Sequence, residues 1–293
     1  MPSSVRVSAP GKINLHLAVG PRDQSGYHPL ATVFQAVDLA DDIVARPAAD
    51  LSVTMLGADL PTDDSNLAVQ AARLLSRYAD VPAAAEITIR KRIPVAGGMA
   101  GGSADAAGTL VALDALWGLQ LDASEFLELG AKLGADVPFC LLGGTALGVE
   151  RGDALTPLLA RGRYTWIVIA QEEGLSTPRV FQHFDRANPA PSCPEVDDRF
   201  LRAIAQGDTT YVAAMARNDL AASCLALHPG ARAAMEACAA FGLPALVSGS
   251  GPTVVALADD DVAGDVCPYV EEYVPDARCY VVHGPVAGAH VVS

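Results

Sequence analysis

From Val5 to Val19 the chain alternates with a period of two, which predicts a strand. Ile13, Leu15 and Leu17 fall on one face, and Lys12, Asn14 and His16 on the other. Pro10-Gly11 predicts a bend just before that polar row, and Ala31 to Asp38 reads as a second strand. The period then lengthens. Leu67, Ala71, Leu74 and Tyr78 recur at helical spacing behind Asp64-Ser65, which predicts an amphipathic helix with a polar start. A strand over Ala85 to Ile93 and a helix over Ser103 to Trp117 follow, the latter with Ala106, Leu110, Leu113 and Trp117 on its apolar stripe. A further helix, Ala123 to Leu133, is expected to end at Gly134 in a left-handed cap. Ala135 to Cys140 reads as a short connector carrying Asp136, Gly143 to Glu150 as a strand, and Arg151-Gly152-Asp153 as a turn.

Beyond residue 157 the pattern restarts. A strand at 164–170, helices at 195–206, 208–217 and 229–241, and two strands around a glycine turn within 245–257 are expected. A helix at 261–273 and a strand at 278–283 complete the half. This is an α+β chain whose second half has ferredoxin-like element order, so the boundary is placed near 157. Asn188 to Pro194, rich in proline, reads as a surface loop.

Composition narrows the class. Of 293 residues, 51% are hydrophobic and 18% charged, as expected of a packed globular enzyme. A net charge of −14 argues against nucleic acid or an anionic membrane as partner. Six cysteines without a Cys-x-x-Cys pair read as reduced, mostly buried thiols rather than a disulfide framework or a zinc site. With no signal-peptide core at the N-terminus and no apolar run of spanning length, the expected setting is cytoplasmic.

The stretch Pro94-Val95-Ala96-Gly97-Gly98-Met99-Ala100-Gly101-Gly102-Ser103-Ala104-Asp105 lies between predicted strand and predicted helix. Small residues ahead of a helix N-terminus let backbone N–H groups close on an anion, and the helix dipole favours negative charge there. No Gly-Lys-Ser/Thr ends the stretch, so it is not a P-loop, and the glycines miss the dinucleotide-binding frame. A purely structural loop is the alternative.

Four features recur in order: Pro-Gly-Lys-Ile-Asn at 10–14, the glycine stretch, Gly-Ala-Asp-Val-Pro at 134–138 and Val-Ser-Gly-Ser-Gly-Pro at 247–252. Together, from residue 8 to about 257, they resemble the GHMP kinase superfamily, whose members phosphorylate small-molecule alcohols with ATP. The resemblance implies a two-domain GHMP kinase fold. Residues 1–157 would form the nucleotide-binding domain, like domain 2 of ribosomal protein S5, and 158–293 a ferredoxin-like domain. Gly26-Tyr27-His28 and Gly134 to Phe139 resemble the branch whose alcohol is 4-diphosphocytidyl-2-C-methyl-D-erythritol.

By the same resemblance Asp136 and Lys12 are the catalytic pair, Asp136 orienting the alcohol and Lys12 stabilising developing charge. Pro94 to Ala104 would wrap the triphosphate, with Ser103 on the phosphate or Mg²⁺ side. Mg²⁺ itself would be held by phosphates and water, since no metal cluster is visible in the sequence. Asn66 and Lys91 match adenine-side positions. Asn14 and Thr177 match positions that bind the alcohol's polar groups, and Tyr27, His28 and Phe181 the base pocket. Each has a plainer alternative: a helix cap for Asp136, Ser103 and Asn66, a solvated charge for Lys12 and Lys91, a packing turn for Tyr27-His28. Gly249-Ser250-Gly251 can likewise be no more than a hairpin turn. Ala96, Ala100 and Met99 depart from the family's run of glycines and leucine, and both alanines are expected to be helical or extended. A monomer or weak homodimer is expected. The competing readings are another GHMP kinase, of homoserine or mevalonate type, and a nucleotide-binding regulator without transferase activity.

Overall fold

In the computed structural model, which describes residues 2–95 and 97–292, the alternating N-terminal segment is strand β1 (Val5–Val19). It is followed by β2 (Leu30–Pro47), β3 (Ser52–Leu56), α1 (Leu67–Ala79), β4 (Ala85–Arg90), α2 (Gly101–Trp117), α3 (Ala123–Leu133), α4 (Val137–Leu142), β5 (Thr145–Glu150) and β6 (Ala154–Pro157). The second half contains β7 (Tyr164–Gln171), α5 (Thr177–Ala187), α6 (Asp198–Gln206), α7 (Thr209–Met215), β8 (Arg217–Asn218), α8 (Ala221–Leu227), α9 (Pro229–Ala240), β9 (Ala245–Val247), β10 (Val254–Ala258), α10 (Asp260–Tyr273), β11 (Ala277–Gly284) and β12 (His290–Val292).

The first sheet runs β12-β1-β2-β4-β3, with β5 and β6 continuing from β2 and β8 lying beside β1. The second runs β11-β7-β10-β9. Taken in chain order, β7, β9, β10 and β11 are the first, second, third and fourth strands, so the spatial order 4-1-3-2 is the ferredoxin-like arrangement expected from sequence.

Both faces of β7 are buried. Tyr164, Trp166 and Val168 pack into the core that holds Ile13, Leu15, Ile43, Leu110 and Leu113, while Ile167 and Ile169 pack into the second core. A strand covered on two sides reads as a continuous apolar run, and Tyr-Thr-Trp-Ile-Val-Ile-Ala is one. Trp166 Nε1 donates to Gln35 Oε1 at 2.9 Å, adding a polar register mark between the halves. The same docking buries both faces of β1, so the polar row Lys12, Asn14 and His16 is out of solvent.

Several boundaries differ from the sequence expectation. Helix α1 starts at Leu67, and Asn66 is its cap, the plainer alternative offered for that residue: its side-chain Oδ1 accepts from the N–H of Ala68. Gly134 is extended (φ 170°, ψ 157°) rather than left-handed, and its N–H still closes α3 onto Gly130 O. The expected connector at 135–140 is instead largely the short helix α4, which Pro138 starts well because its missing N–H is an orphan there anyway. Helices α5 and α8 escaped the pattern: α5 opens on Thr-Pro, and α8 is Ala- and Ser-rich with little periodic contrast.

The cysteine expectation also needs correction: Cys267 and Cys279 form a disulfide, because α10 packs on β11 and brings their Cα atoms to 5.2 Å. Cys140, Cys224 and Cys238 are buried free thiols as expected, and Cys193 is an exposed one. The C-terminal segment does not stay with the second half. β12 pairs antiparallel to β1, and Ala287 bridges to Gly143, so the tail after Gly284 extends the first sheet.

Candidate active site

The polar row of β1 carries the first part of the site. Lys12 is 5% exposed, and its ammonium donates to Asn14 Oδ1 at 2.8 Å and lies 5.3 Å from the centre of the Phe34 ring. The Asn14 amide donates to Thr32 Oγ1 at 2.8 Å, and that hydroxyl donates to the carbonyl of His16 at 2.7 Å. Among the described residues no carboxylate pairs with Lys12. A buried, unpaired ammonium is costly by itself, which makes the site one that gains by taking an anion.

The glycine stretch forms the floor. The Lys12 N–H donates to Met99 O at 3.1 Å, and Met99 is buried in the core, so the stretch is anchored at its centre. Gly98 has φ +80°, and a Cβ there would lie 2.4 Å from Ser248 O, closer than any side chain can be accommodated. Ala100, expected to be helical or extended, is instead left-handed (φ 58°, ψ 33°) and caps α2 without a side-chain hydrogen bond. The reason is steric: the chain must turn sharply from buried Met99 into the helix, and the left-handed residue makes that turn at a cost of about 1–2 kcal/mol. Among the described residues no side chain caps the N–H groups that open this 17-residue helix, and Ala100 to Gly102 line the cavity at its dipole's positive end. Ala96 lies outside the described residues.

Behind the floor lies a buried ion triad. Lys91 Nζ donates to Asp41 Oδ2, to Asp105 Oδ2 at 2.7 Å and to Gly101 O at 3.3 Å. Asp41 Oδ1 also accepts from the N–H groups of Arg92 and Ile93. The triad ties β2, the end of β4 and α2 together. Burial pushes the Asp105 carboxyl up to about 7, with the charges on Lys91 and Asp41 pulling in opposite directions.

Asp136 stands at the N-cap of α4, yet its side chain makes no capping bond there. It lines the same cavity as Lys12, about 530 Å³ in volume, together with Gly97, Gly98 and Ala100 to Gly102. The far wall is the 249–251 turn of the second half. Ser248 Oγ donates to Gly98 O at 3.4 Å, and Asn218 Nδ2 donates to the carbonyls of Val247 and Gly249, both at 2.7 Å. A Cβ on Gly249 would sit 3.5 Å from Lys12 Nζ, so this turn does more than join β9 to β10.

A second cavity of about 560 Å³ opens beside the first and shares Leu30, Ala135, Arg151, Thr177 and Phe181 with it. Tyr27 and His28 lie at its outer end. Phe181 stacks on His28 (ring centres 5.2 Å apart, 25° between planes), and the Arg151 guanidinium covers one face of Tyr27 at 3.9 Å. Thr177 is hydrogen-bonded to Ser250 at 2.8 Å, which joins α5 to the far wall.

Comparison with known proteins decides the family. Residues 66–144 match the GHMP kinases N terminal domain and 200–276 the GHMP kinases C terminal domain. A 4-diphosphocytidyl-2-C-methyl-D-erythritol kinase of Leifsonia xyli subsp. xyli is 47% identical, covering 99% of each chain. The chain belongs to the GHMP kinase family. The enzyme of the same name from Nocardioides sp. is 48% identical to this GHMP kinase over 97% of its length and 99% of the relative's. A crystal structure of 4-(cytidine 5'-diphospho)-2C-methyl-D-erythritol kinase superposes with a TM-score of 0.79 at 31% identity, covering 95% of this chain and 98% of that one. Homoserine kinase from Cytophaga hutchinsonii (TM-score 0.74, 19% identity, 100% of this chain and 98% of that one) shares the fold. This GHMP kinase is therefore an ATP-dependent small-molecule kinase.

Of the residues singled out in its sequence, Lys12, Asn14, Lys91, Asp136, Thr177, Phe181 and most of the glycine stretch meet in one cleft with Tyr27 and His28. Asn66 does not reach it: its amide caps α1 and donates to Pro61 O at 2.7 Å. Lys91 lines the cleft, but its ammonium is taken up by the triad, so the adenine-side expectation fits neither residue in this arrangement. Ser103, third in α2, and buried Ala104 lie outside the cavity lining. His28 Nδ1 is bonded to Gly20 O at 2.8 Å, and Nε2 lies 3.1 Å from Asp185 Oδ1 in an ion-pair contact. Sequence reasoning missed Arg151, read only as a turn residue, and the acidic partners Asp41 and Asp105. No local signal marks Arg151. Nor does any local signal single out Asp41, one of three aspartates at 38, 41 and 42 in β2.

Proposed function

We propose that this GHMP kinase transfers the γ-phosphoryl group of ATP to the 2-hydroxyl of 4-diphosphocytidyl-2-C-methyl-D-erythritol. The products are ADP and the 2-phosphate, an intermediate of isoprenoid precursor biosynthesis by the non-mevalonate route. The observation that carries this is that Asp136 and unpaired Lys12 line one cavity, floored by the N-terminus of α2 and continuous with the aromatic slot.

Each part answers a need of phosphoryl transfer, which is mainly positioning and charge stabilisation. The N–H groups at Gly101 and Gly102, which line the cavity, face the phosphates. Lys12, held on axis by Asn14, meets the charge that grows on the transferred oxygens. Asp136, free of capping duty, orients the alcohol and accepts its proton as the new P–O bond forms and the bond to ADP breaks. Arg151 stands where the two cavities join, in the place a substrate diphosphate would occupy between base and polyol. Among the described residues no group of three or more His, Cys, Asp or Glu is built to hold a metal. Asp105 is tied to Lys91, so Mg²⁺ would rest on the nucleotide phosphates, water and at most Asp136, and would neutralise phosphate charge.

The homoserine and mevalonate kinase neighbours, at 19% and 16% identity, share fold alone, and the aromatic slot favours the cytidyl substrate. No helix among the described residues is long and apolar enough to cross a membrane. A cytoplasmic setting and a monomer or weak homodimer are part of the proposal. The test is ADP release with and without the cytidyl alcohol, in wild type and Asp136→Asn. Release is expected to depend on the alcohol and to fall at least about 100-fold in the variant while ATP still binds. Alcohol-independent release, or near-normal turnover by the variant, overturns the assignment.

A further inference from the structure

The outer slot holds a carboxylate that the reaction above does not use. Asp185 lies on α5 four residues after Phe181, hence on the same helix face, and both side chains line the slot with Tyr27 and His28. One Asp185 oxygen, Oδ1, faces His28 Nε2 at 3.1 Å. The other has no hydrogen-bond partner among the described residues, and the side chain is 33% exposed. Of the other polar side chains in the slot, Gln182 and Tyr27 also make no hydrogen bond among the described residues, and neither carries a charge. His28 Nδ1 is bonded to Gly20 O, and the face of the ring is occupied by Phe181. Arg22 Nε donates to Gly26 O at 2.9 Å, and Arg151 lies over Tyr27. Among the described lining residues Asp185 is the only carboxylate in the slot.

A carboxylate accepts hydrogen bonds and cannot donate them. Cytosine presents an exocyclic amine, a donor, where uracil presents a carbonyl oxygen, an acceptor; Asp and Glu are the side chains that accept from that amine. Resting on the substrate assignment above, we propose that Asp185 determines base specificity. Its free oxygen accepts from the cytosine amine, while the ion-pair contact of Oδ1 with His28 Nε2 keeps the carboxylate beside the Phe181 stack. Uracil would set two acceptors against each other, a loss no rotation of the carboxylate relieves.

The test compares kcat/KM for the cytidyl alcohol and its uridyl analogue in wild type, Asp185→Asn and Asp185→Ala, alongside calorimetric binding of CDP and UDP. Wild type is expected to prefer the cytidyl form by at least about 100-fold. Asp185→Asn, whose amide can turn its NH₂ toward the uracil oxygen, should cut that preference by at least about 10-fold through the alcohol's KM, leaving the KM for ATP unchanged. Asp185→Ala should lose the preference without gaining uridyl turnover. An equal loss for both alcohols with the preference intact would make Asp185 a mere prop for His28 and overturn the proposal. Absence of turnover with either alcohol would strike the substrate assignment instead. CDP against UDP would then decide Asp185 alone, equal affinities in wild type sinking it.

Discussion

At the phosphoryl end of the cleft, Lys12, Lys91, Asp41 and Asp105 are all nearly out of solvent and each is fixed by neighbours, whereas at the base end Tyr27 is 54% exposed and rests on a turn under an exposed arginine. The inner end is assembled from sheet strands and the buried helix α2; the outer end uses the 20–29 turn, the β5–β6 turn and one face of α5. Charge stabilisation depends on dipoles and ions that do not reorganise during transfer, and only a packed, desolvated frame supplies that. Base recognition must admit and release a large ligand, and aromatic faces on turns allow it with a modest ordering cost.

The comparison breaks first at the triad. Lys91→Met leaves two buried carboxylates without their cation, and the expected loss is about 3–5 kcal/mol of folding stability. Denaturant unfolding measures it; a loss below about 1 kcal/mol would mean that the inner end is no more buried in its energetics than the outer. Arg151→Ala probes the opposite end. It should raise the KM for the cytidyl substrate roughly 10-fold while stability and the KM for ATP stay within about twofold, as for an exposed group that binds only ligand. A matching rise for ATP would place Arg151 with the phosphoryl machinery. The smallest effect is expected at the hinge between loop and helix. Ala100→Gly removes the left-handed penalty but adds unfolded-chain entropy, for a net gain of about 0.5–1 kcal/mol in stability. Destabilisation instead would show that the Ala100 methyl packs better than its backbone is strained.

Much of the frame was legible in the chain. The two-residue alternation of 5–19, the helical spacing at 67–78 and 123–133, and the second-half strand order all correspond to observed elements. The grouping of Lys12 and Asp136 was legible from their motifs, and that of Thr177 and Phe181 only from the family resemblance; all four line one cavity. What failed did so for physical reasons. Asn66 and Ser103 lie near the right helices, but helix geometry sends their side chains to a cap and away from the cleft. Ala100 took a conformation its residue type disfavours because burial of Met99 and the tie to Lys12 dictate the turn. Cys267 and Cys279 meet only because α10 folds back on β11.

Sequence alone determined the family pattern, the alternation that makes β1 a strand and the small-residue run that opens α2 to an anion, since these depend on neighbours a few residues apart. Tertiary structure decided that Lys12 is buried without a counter-ion, that Lys91 serves Asp41 and Asp105, and that Asp185 stands beside His28. Those outcomes depend on which surfaces exclude water and which distant charges then meet. No spacing along a chain encodes solvent exclusion until the two halves pack.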